Sequence, residues 1–292
     1  MLSICIPIYQ YDIFDLVNEL YLQCKTSNLK FEIICIDDNS DELYKLINQK
    51  IKKIESVHYV ELKKNIGRSK IRNLFIEKAK YSSLLFIDCD CSIPKRFIEK
   101  YLKNIKKDIV YGGRKHSDFK PNDEKLFLRW KYGICNEDLS IDTRKNNPYL
   151  SFRSNNFLIK KKIFSRINFD ESITYYGHED TLLAIELKKN KIEIFHIENA
   201  VTHEGLETNT EFLKQVRLSI VNLDSLYKKK KIKANEIKLL RAYQFINNLL
   251  LANILSYLSN FFVKLCHKKL LKKEPKMIWL NLYKLFYLIK IH

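Results

Sequence analysis

The feature that most constrains the fold is an alternation of two hydrophobic patterns over the first 113 residues. Short continuous apolar runs, which end in turn-forming or acidic residues, cover 2–8, 31–37, 57–62, 83–88 and 108–112. Between them lie segments with helical spacing of apolar residues, at 12–25, 41–51, 67–80 and 95–105. Continuous apolar strands separated by helices are typical of βαβ units. We therefore predict an α/β fold with a mostly parallel, Rossmann-like sheet flanked by helices.

The remainder of the chain has a different pattern. Residues 114–176 are less regular. A helix and two short strands are expected after them, at 179–189, 192–196 and 199–203. Beyond residue 210 the pattern is helical almost to the end, with apolar residues on one side and lysines on the other. We expect one domain over 1–209 and a helical, basic, amphipathic extension over 210–292.

Positive charge is concentrated in that extension. The chain has a formal net charge of +18, and residues 225–292 hold fifteen Lys and Arg against Glu236 and Glu274, a net +13. The lysines interleave with large apolar and aromatic side chains, which is typical of helices in an anionic membrane interface. Packing of the apolar side on the first domain, or binding of nucleic acid, are the alternatives. We expect peripheral membrane contact through 226–292 and no nucleic-acid partner.

Cysteine usage and the N-terminal sequence bear on the cellular compartment. The seven cysteines are odd in number, most lie in apolar runs, and Cys89-x-Cys91 is too tight for an ordinary zinc site. We therefore expect reduced thiols. The chain begins with an apolar strand instead of a signal-peptide pattern, and it has no run of about 18 uninterrupted apolar residues. These patterns predict a cytoplasmic protein, at the inner face of the cytoplasmic membrane.

Two acidic clusters follow predicted strands. Asp37-Asp38 follows the second strand and Asp88-Cys89-Asp90 follows the fourth. Functional groups of a parallel sheet gather at the carboxyl ends of its strands. Alternate residues of an extended strand lie on the same side, so Asp88 and Asp90 are expected to converge, and Mn²⁺ or Mg²⁺ bridging a diphosphate suits such a pair. The alternative is that each Asp caps the helix after its strand.

Three further segments carry candidate groups. Arg68 and Arg72 lie four residues apart on a predicted helix, where they can clamp phosphates or stack on a base, or can simply be solvated. Glu179 and Asp180 begin a helix, which the helix dipole alone explains, but either is also suited to act as a general base. His203 ends a short strand, where a structural histidine is the commoner outcome.

Five segments in this order resemble family 2 glycosyltransferases, which have the GT-A fold; they are 3–9, 37–40, 65–73, 88–90 and 178–180. The resemblance covers about residues 1–205, with Gln10 and Ile71 where the family usually has Asn and Ala. It implies an inverting, metal-dependent transfer from a nucleotide-diphosphate sugar, with UDP favoured, to an acceptor hydroxyl in bacterial surface glycan or lipooligosaccharide assembly. Residues 1–113 then form the donor half, and 114–209 the acceptor half.

The resemblance also implies roles for individual residues. Asp180 is the catalytic base, Glu179 holds the acceptor beside it, and the predicted ligands of Mn²⁺ or Mg²⁺ are Asp90, Asp88 and His203. The predicted nucleotide contacts are Pro7, Tyr9, Asp37, Asp38, Asn65, Gly67, Arg68, Arg72, Asp88 and Cys89. The predicted contacts to the donor sugar or acceptor are Asn155, Asn156, Gly177 and His178.

Two other classes of function remain as alternatives. A sugar-phosphate nucleotidyltransferase shares the fold and the use of carboxylates and metal, but it usually has a glycine-rich basic loop after its first strand, where this chain has residues 7–12. A non-catalytic protein that binds nucleic acid or an anionic surface explains the charge of +18 but not the acidic strand ends.

Overall fold

The computed structural model describes residues 1–173, 175–250 and 252–292. Its strands, numbered along the chain, are β1 (Leu2–Ile8), β2 (Phe31–Asp37), β3 (Val57–Glu61), β4 (Ser83–Ile87), β5 (Cys91–Ser92), β6 (Ile109–Tyr111), β7 (Arg114–Lys115), β8 (Asn156–Lys160), β9 (Ile194–His196) and β10 (Val201–His203). Its α-helices are α1 (Phe14–Thr26), α2 (Glu42–Asn48), α3 (Arg68–Lys78), α4 (Phe97–Leu102), α5 (Phe127–Asn136), α6 (Ile141–Asn146), α7 (Lys161–Phe164), α8 (Glu179–Lys189), α9 (Asn209–Lys228), α10 (Lys238–Asn248), α11 (Ala252–Leu270) and α12 (Met277–Ile291).

The main sheet has seven strands in the order β3-β2-β1-β4-β8-β6-β9. The first four are parallel to one another, and β6 and β9 are parallel as a pair. Strand β8 runs antiparallel to both of its neighbours, β4 and β6. The predicted α/β class, with a mostly parallel sheet flanked by helices, is confirmed. Strand β8 lies within the stretch for which the sequence pattern indicated no regular structure.

Burial of the strands on both sides explains the continuous apolar runs. Successive residues of β1 enter different hydrophobic clusters, Ile4 and Ile6 on one side and Cys5 on the other. The first cluster includes Leu20 of α1, and the second includes Phe75 of α3. Helices on both faces of a parallel sheet leave no face for polar residues, so its strands are apolar throughout.

A second, three-stranded sheet has the order β5-β10-β7. Strand β10 is antiparallel to β5, with His203 opposite Cys91, and parallel to β7, with Val201 opposite Arg114. Because β5 begins one residue after Asp90, this pairing brings His203, which is distant in sequence, next to the acidic strand end.

The chain divides into two compact units. The first unit comprises residues 1–117, 137–172 and 179–205 and contains both sheets. The second comprises 118–136, 173–178 and 206–292, and contains α5 and α9 to α12. Within the second unit, α9 packs on α5 and α12, and α12 packs on α10 and α11. The last segment of the second unit, 206–292, is close in its bounds to the predicted extension 210–292. The unit also includes 118–136 and 173–178, which lie in the stretch predicted as the acceptor half.

Two further sequence-based expectations can be compared with the structure. All seven cysteines are free thiols; Cys135 is exposed and the others are buried or partly buried. Across the described residues, no helix combines the length and the hydrophobicity that a membrane span requires.

Candidate functional site

The centre of the site is the turn after β4, residues 88–90, which we call the acidic turn. His203 donates from Nε2 to Asp90 Oδ2 at 3.1 Å. The backbone N–H groups of Glu204 and Gly205 donate to the Asp90 carbonyl oxygen at 2.9 and 3.4 Å. A Cβ atom on Gly205 would lie 2.8 Å from the Asp90 Cβ. The segment after β10 therefore holds Asp90 through its main chain, and a glycine is needed for the close approach.

The charge state of Asp90 follows from the groups around it. Burial by itself raises the pKa of Asp90, but the hydrogen bond and the charge of His203, together with Arg114 and Arg68, hold that pKa well below its ordinary value. Asp90 Oδ1 is buried and accepts no hydrogen bond from the part of the chain that the structure describes. The carboxylate is therefore ionised, with one oxygen on His203 and the other without a hydrogen-bond donor from the described residues.

This arrangement fits a divalent cation that is also held by a ligand. No cluster of three or more His, Cys, Asp or Glu with metal-binding geometry is found among the described residues. Mg²⁺ and similar ions are commonly held by one or two carboxylates plus phosphate oxygens of the substrate, so a full protein cage is not required. Asp90 and His203 are of the residue types that supply ligands to such an ion, and binding of the cation would displace the proton that Nε2 donates to Asp90.

Asp88 has different partners from Asp90. Strand β4 ends at Ile87, and the residues after it form a turn, so the expected convergence of two carboxylates along an extended strand does not occur. Asp88 Oδ1 instead accepts a hydrogen bond from Arg72 Nη2 at 2.6 Å, and the Asp88 N–H donates to the Asn155 carbonyl. The role of Asp88 as a metal ligand stays a prediction, and Asp90 with His203 forms the pair that the structure brings together.

The two arginines of α3 do not act as an exposed pair. Arg72 is buried, pairs with Asp88, donates from Nη1 to the Arg68 carbonyl and lies over the Phe169 ring. Arg68 is exposed, with its Nη1 at 3.7 Å from Glu179 Oε1. The predicted two-arginine clamp on phosphate is therefore corrected: Arg72 holds the acidic turn, and Arg68 alone has an exposed side chain.

Asp37 and Asp38 are also turned into the protein. Asp37 is fully buried, and its oxygens accept hydrogen bonds from the Ser40 N–H and the Tyr59 hydroxyl. Asp38 accepts from the Ile66 and Gly67 N–H groups at 2.7 and 3.0 Å, and burial raises its pKa. The direct nucleotide contact predicted for Asp37 is corrected to a structural role, because Asp37 has no exposed surface. Asp38 fixes the loop that leads into α3.

That loop depends on the backbone of Gly67. Gly67 has φ +84°, a conformation that L side chains rarely adopt, and it is the residue before α3. Asn65, two residues before Gly67, is exposed, and so is Tyr9, directly after β1. Pro7 is partly buried. Tyr9, Asn65 and Arg68 are thus predicted nucleotide contacts whose side chains are accessible.

A pocket of about 650 Å³ opens on another side of the acidic turn. Of the predicted nucleotide contacts, only Cys89 lines it. Four of its lining residues are carboxylates, namely Asp12, Asp15, Glu19 and Glu204. Four carboxylates disfavour an anionic diphosphate, so we do not assign the donor to this pocket.

The two asparagines predicted to contact sugar differ in their environment. Asn156 is fully buried; its Nδ2 donates to the carbonyls of Gly113 and Asn199, and its Oδ1 accepts from the Tyr101 hydroxyl. Its predicted sugar contact is therefore corrected to a structural role. Asn155 Nδ2 is buried without a hydrogen-bond partner, and the residue lies directly beside Asp88 through its carbonyl. Asn155 stays a candidate donor to the sugar.

The proposed base begins helix α8. Glu179 is buried, and burial, followed by the charge of Asp180, raises the pKa of Glu179. Asp180 is partly buried, and none of the described residues donates a hydrogen bond to its Oδ1. A carboxylate oxygen without a donor is suited to accept a proton.

Gly177 and His178 belong to the second unit. Both have positive φ, +95° and 71°, and the Asn222 side-chain amide donates to the Gly177 carbonyl. A Cβ on Gly177 would lie 2.7 Å from Ser219 Oγ. Their predicted contact with sugar or acceptor stays a prediction.

Sequence reasoning did not find one group of residues at the site. His116 lies in ring contact with His203, with centroids 5.1 Å apart, and is bound to Asp138. Glu137 lies 3.4 Å from His116 Nε2. One signal was available, since His116 follows the predicted strand 108–112 at a strand end. Glu137 and Asp138 lie in the less regular stretch 114–176, and their position beside His116 depends on long-range folding.

Comparisons with known proteins identify the family. The family model described as Glycosyl transferase family 2 matches residues 3–168. A chondroitin synthase of Pasteurella multocida is 31% identical over 160 residues, which is 53% of this chain and 16% of the relative. A chondroitin synthase of Escherichia coli is 24% identical over 247 residues, which is 72% of this chain and 36% of the relative. The chain thus spans little more than a third, or less, of the length of these relatives.

Solved structures resemble the fold over a larger share of the chain. S. aureus TarS residues 1–349 align with a TM-score of 0.51 and 17% identity, covering 99% of this chain and 90% of TarS 1–349. The mannosyltransferase PcManGT from Pyrobaculum calidifontis aligns with a TM-score of 0.54 and 12% identity, covering 78% of this chain and 64% of the PcManGT chain. At such identities the likeness establishes the fold alone. With a family model that matches more than half of its length, this chain belongs to glycosyl transferase family 2.

Proposed function

We propose that this chain transfers a sugar from a nucleotide diphosphate donor, a UDP-sugar, to an acceptor hydroxyl, with inversion at the anomeric carbon. The observation that carries the proposal is the ionised Asp90, held by His203 and by the backbone of Glu204 and Gly205, with one buried oxygen available. Family membership supports a nucleotide-sugar donor.

Each residue has a defined part in the proposed reaction. Asp180 takes the proton of the acceptor hydroxyl as that oxygen attacks the anomeric carbon, and the bond to the diphosphate breaks in the same displacement. Asp90 and His203 would hold Mn²⁺ or Mg²⁺, and the chemistry that such an ion would supply is positive charge beside the departing diphosphate. Tyr9, Asn65 and Arg68 bind the nucleotide. The product has the opposite anomeric configuration to the donor, and no covalent enzyme intermediate forms.

The choice of UDP and of a metal rests on two solved relatives of the fold. One structure of TarS 1–349 is in complex with UDP-GlcNAc and has a TM-score of 0.51 to this chain. The PcManGT structure is in complex with GDP-Man and Mn²⁺. The two differ in nucleotide, so a panel of donors is the appropriate test.

The test is a thermal-shift panel of UDP-, GDP- and dTDP-sugars, with and without Mn²⁺. The wild type is compared with Asp90→Asn and with Asp142→Asn, which removes an exposed carboxylate on α6. We expect stabilisation by UDP-sugars that requires both Mn²⁺ and Asp90, with Asp142→Asn behaving as wild type. If no nucleotide sugar shifts the melting temperature of the wild type, the proposed donor site is wrong.

For the acceptor, we propose a hydroxyl of a surface glycan or lipooligosaccharide under assembly. The support is that relatives are named chondroitin synthase and hyaluronan synthase. Incubation with a donor identified by the panel and with oligosaccharide or lipid-linked acceptors, followed by mass spectrometry, tests this. NMR of the new glycosidic bond tests inversion, because retention of the donor configuration contradicts a single displacement.

We also propose that the second unit binds an anionic membrane surface at the inner face of the cytoplasmic membrane. Helix α11 presents Tyr257, Phe261, Lys264 and Lys268, spaced by four, three and four residues, on one exposed face. Tyr257 is 90% and Phe261 64% exposed. On another side of the helix, Phe262 stacks on Phe286 of α12 at 4.4 Å.

The second unit has further exposed apolar side chains. Phe245, Leu249 and Leu250, at the end of α10 and just after it, are exposed. Exposed aromatic and aliphatic groups next to lysines suit an interface of acyl chains and anionic headgroups. The net charge of +13 over residues 225–292 favours anionic lipid over a neutral surface.

Vesicle co-sedimentation tests the membrane proposal. The double variant Tyr257→Ser/Phe261→Ser should lose binding to vesicles that contain phosphatidylglycerol, whereas Leu43→Ser, at an exposed position of α2, should not. If the wild type fails to bind these vesicles, or if the double variant binds as well as the wild type, the membrane proposal is wrong. If the face instead joins two copies of the chain, size-exclusion chromatography will show a dimer that Phe261→Ser dissociates.

A further inference from the structure

We infer that His116, held by Asp138, is a positioning residue that fixes the imidazole of His203 for ligation of the divalent cation at Asp90. The inference rests on the proposed function, because it concerns the same cation. The contacts of His116 among the described residues are with Asp138, Glu137 and the His203 ring, so it is assigned no contact with the reacting atoms.

The first step of the argument is how firmly His116 is held. Asp138 uses both oxygens on it: Oδ2 accepts from the His116 backbone N–H at 2.8 Å, and Oδ1 lies 2.6 Å from the ring Nδ1. The carboxylate is an acceptor only, so Nδ1 carries a proton and the ring orientation is fixed. The His116 side chain is 1% exposed, so little free space surrounds it.

The second step is the contact with His203. The His116 and His203 rings meet with centroids 5.1 Å apart and planes at 62°. The His203 side chain is 3% exposed and its Nε2 points to Asp90 Oδ2. A ring packed against another ring of fixed orientation has fewer rotamers available, so His116 restricts the direction in which His203 presents Nε2.

The third step is how the fold brings these residues together. Strand β10 pairs with β7 in parallel register, Val201 opposite Arg114 and Thr202 opposite Lys115. His203 follows Thr202 and His116 follows Lys115, so the two histidines come directly after the last of these pairs. Arg114 Nη1 lies 3.5 Å from Glu137 Oε2, which places the segment with Glu137 and Asp138 beside β7. The small sheet therefore places Asp90 against His203 and His203 against His116, and His116 in turn contacts Asp138.

In metal sites the second ring nitrogen of a histidine ligand commonly makes a hydrogen bond that orients the ring, and in this chain the contact that restricts the His203 ring is packing against His116. A histidine ligand is oriented by outer residues, and their loss typically weakens metal binding by about 10- to 100-fold. In this chain the orienting contact to His203 that the geometry identifies is a second histidine, which is oriented in turn by a carboxylate. The effect is expected on metal affinity and not on nucleotide affinity in the absence of metal.

The test measures Mn²⁺ affinity in the presence of UDP by the loss of the free Mn²⁺ signal in electron paramagnetic resonance. His116→Gln and Asp138→Asn should each weaken Mn²⁺ binding by about 10- to 100-fold. The metal-free affinity for UDP should stay close to wild type. Asp142→Asn, which removes a carboxylate four residues away at an exposed position, should leave Mn²⁺ affinity unchanged.

A double-mutant cycle separates positioning from a general structural effect. If His116 acts through His203, then His116→Gln should have no further effect on Mn²⁺ affinity in a His203→Ala background. An equal effect in both backgrounds, or unchanged Mn²⁺ affinity in both single variants, would overturn the positioning role while leaving the proposed function intact. If the wild type with UDP binds no Mn²⁺, both the inference and the metal-dependent function are wrong.

Discussion

At the scale of single residues, the position of Asp90 depends on a glycine that carries no chemistry. Gly205→Ala places a Cβ at 2.8 Å from the Asp90 Cβ and 3.0 Å from Oδ2, so the acidic turn must move. We expect Mn²⁺ affinity in the presence of UDP to fall by about 10- to 100-fold. Titration calorimetry checks this, with Ser92→Ala on the adjacent strand as the control. Unchanged affinity would show that Asp90 tolerates the displacement.

A second residue-scale prediction concerns the base. Asp180→Asn keeps the size of the side chain but cannot take a proton, so kcat should fall by about 10²- to 10⁴-fold. Stabilisation by donor and Mn²⁺ should persist, because Asp90 and His203 are unchanged. Steady-state kinetics with Asp142→Asn as the matched control provide the measurement. Near-normal kcat would remove Asp180 from the proposed mechanism.

The third residue-scale prediction follows from the raised pKa of Glu179. The folded state holds this proton more firmly than the unfolded chain, so the contribution of Glu179 to stability is present below its ordinary pKa of 4.5 and is lost as pH rises through the higher folded value. Glu179→Gln has no charge to bury, and should therefore raise the melting temperature by an increasing amount as pH increases above 4.5.

Melting curves at a series of pH values measure this effect. Glu186→Gln, at a half-exposed position of the same helix where Glu186 pairs with Lys189, is the control and should show no such trend. A Glu179→Gln difference that is constant with pH would contradict burial of an ionisable carboxyl as the cause.

Contacts between side chains were predictable where strand-end position decides them and not where they depend on long-range folding. Asp90 and His203 were named from sequence, and the structure pairs them. The engagement of Arg72 with Asp88 was not foreseen, because a four-residue helical spacing does not reveal which arginine is buried. Asn156 looked like a ligand-binding side chain, yet its partners lie more than 40 residues away in sequence, where local pattern gives no information.

At the scale of elements, β1 to β4 and β6 follow the predicted apolar runs, and burial on both faces explains the runs of β1, β2 and β4. Strand β8 escaped notice because its apolar core is only Phe157, Leu158 and Ile159, within a polar stretch. What makes it a strand is pairing on both sides with β4 and β6, which is a long-range property. Strands β5 and β7, of two residues each, have no detectable period.

An element-scale prediction concerns the start of α9. Thr208 accepts from the Glu211 N–H, and Glu211 accepts from the Thr208 N–H, so the two form a reciprocal cap. Thr208→Ala should lower the free energy of unfolding by about 1 kcal/mol. Thr208→Ser keeps the hydroxyl and should therefore lose only a small part of this stabilisation. Urea unfolding of both variants gives the comparison. Equal losses in Ala and Ser variants would assign the effect to the methyl group instead of the hydroxyl.

At the scale of the whole molecule, the sequence located the catalytic family and the basic C-terminal helices, but not the composition of the second unit. Residues 118–136 join it through contacts such as the Leu128 N–H to Asn209 Oδ1 and Arg129 Nε to Glu207 Oε2. These contacts join segments about 80 residues apart. A domain boundary placed at one point of a sequence cannot describe a unit that is built from separate segments of the chain.

A whole-molecule prediction follows from the uneven distribution of charge. If anionic lipid is the partner of the second unit, vesicle binding should weaken as the salt concentration rises, because the screening length falls from about 10 Å at 0.1 M to about 3 Å at 1 M. Co-sedimentation at both concentrations measures this. Binding that does not change with salt would attribute attachment to the apolar side chains alone.

The place of β10 in the chain has a consequence for how the protein is made. Asp90 is synthesised more than 100 residues before His203 and Gly205, its partners. While the ribosome is still adding the middle of the chain, β1, β2 and β4 can already pair and Arg72 can already reach Asp88, but the groups that hold Asp90 have not yet been made. A polypeptide released before residue 205 therefore carries these strands without the partners of the Asp90 carboxylate, so premature termination yields a product in which Asp90 is not held in place.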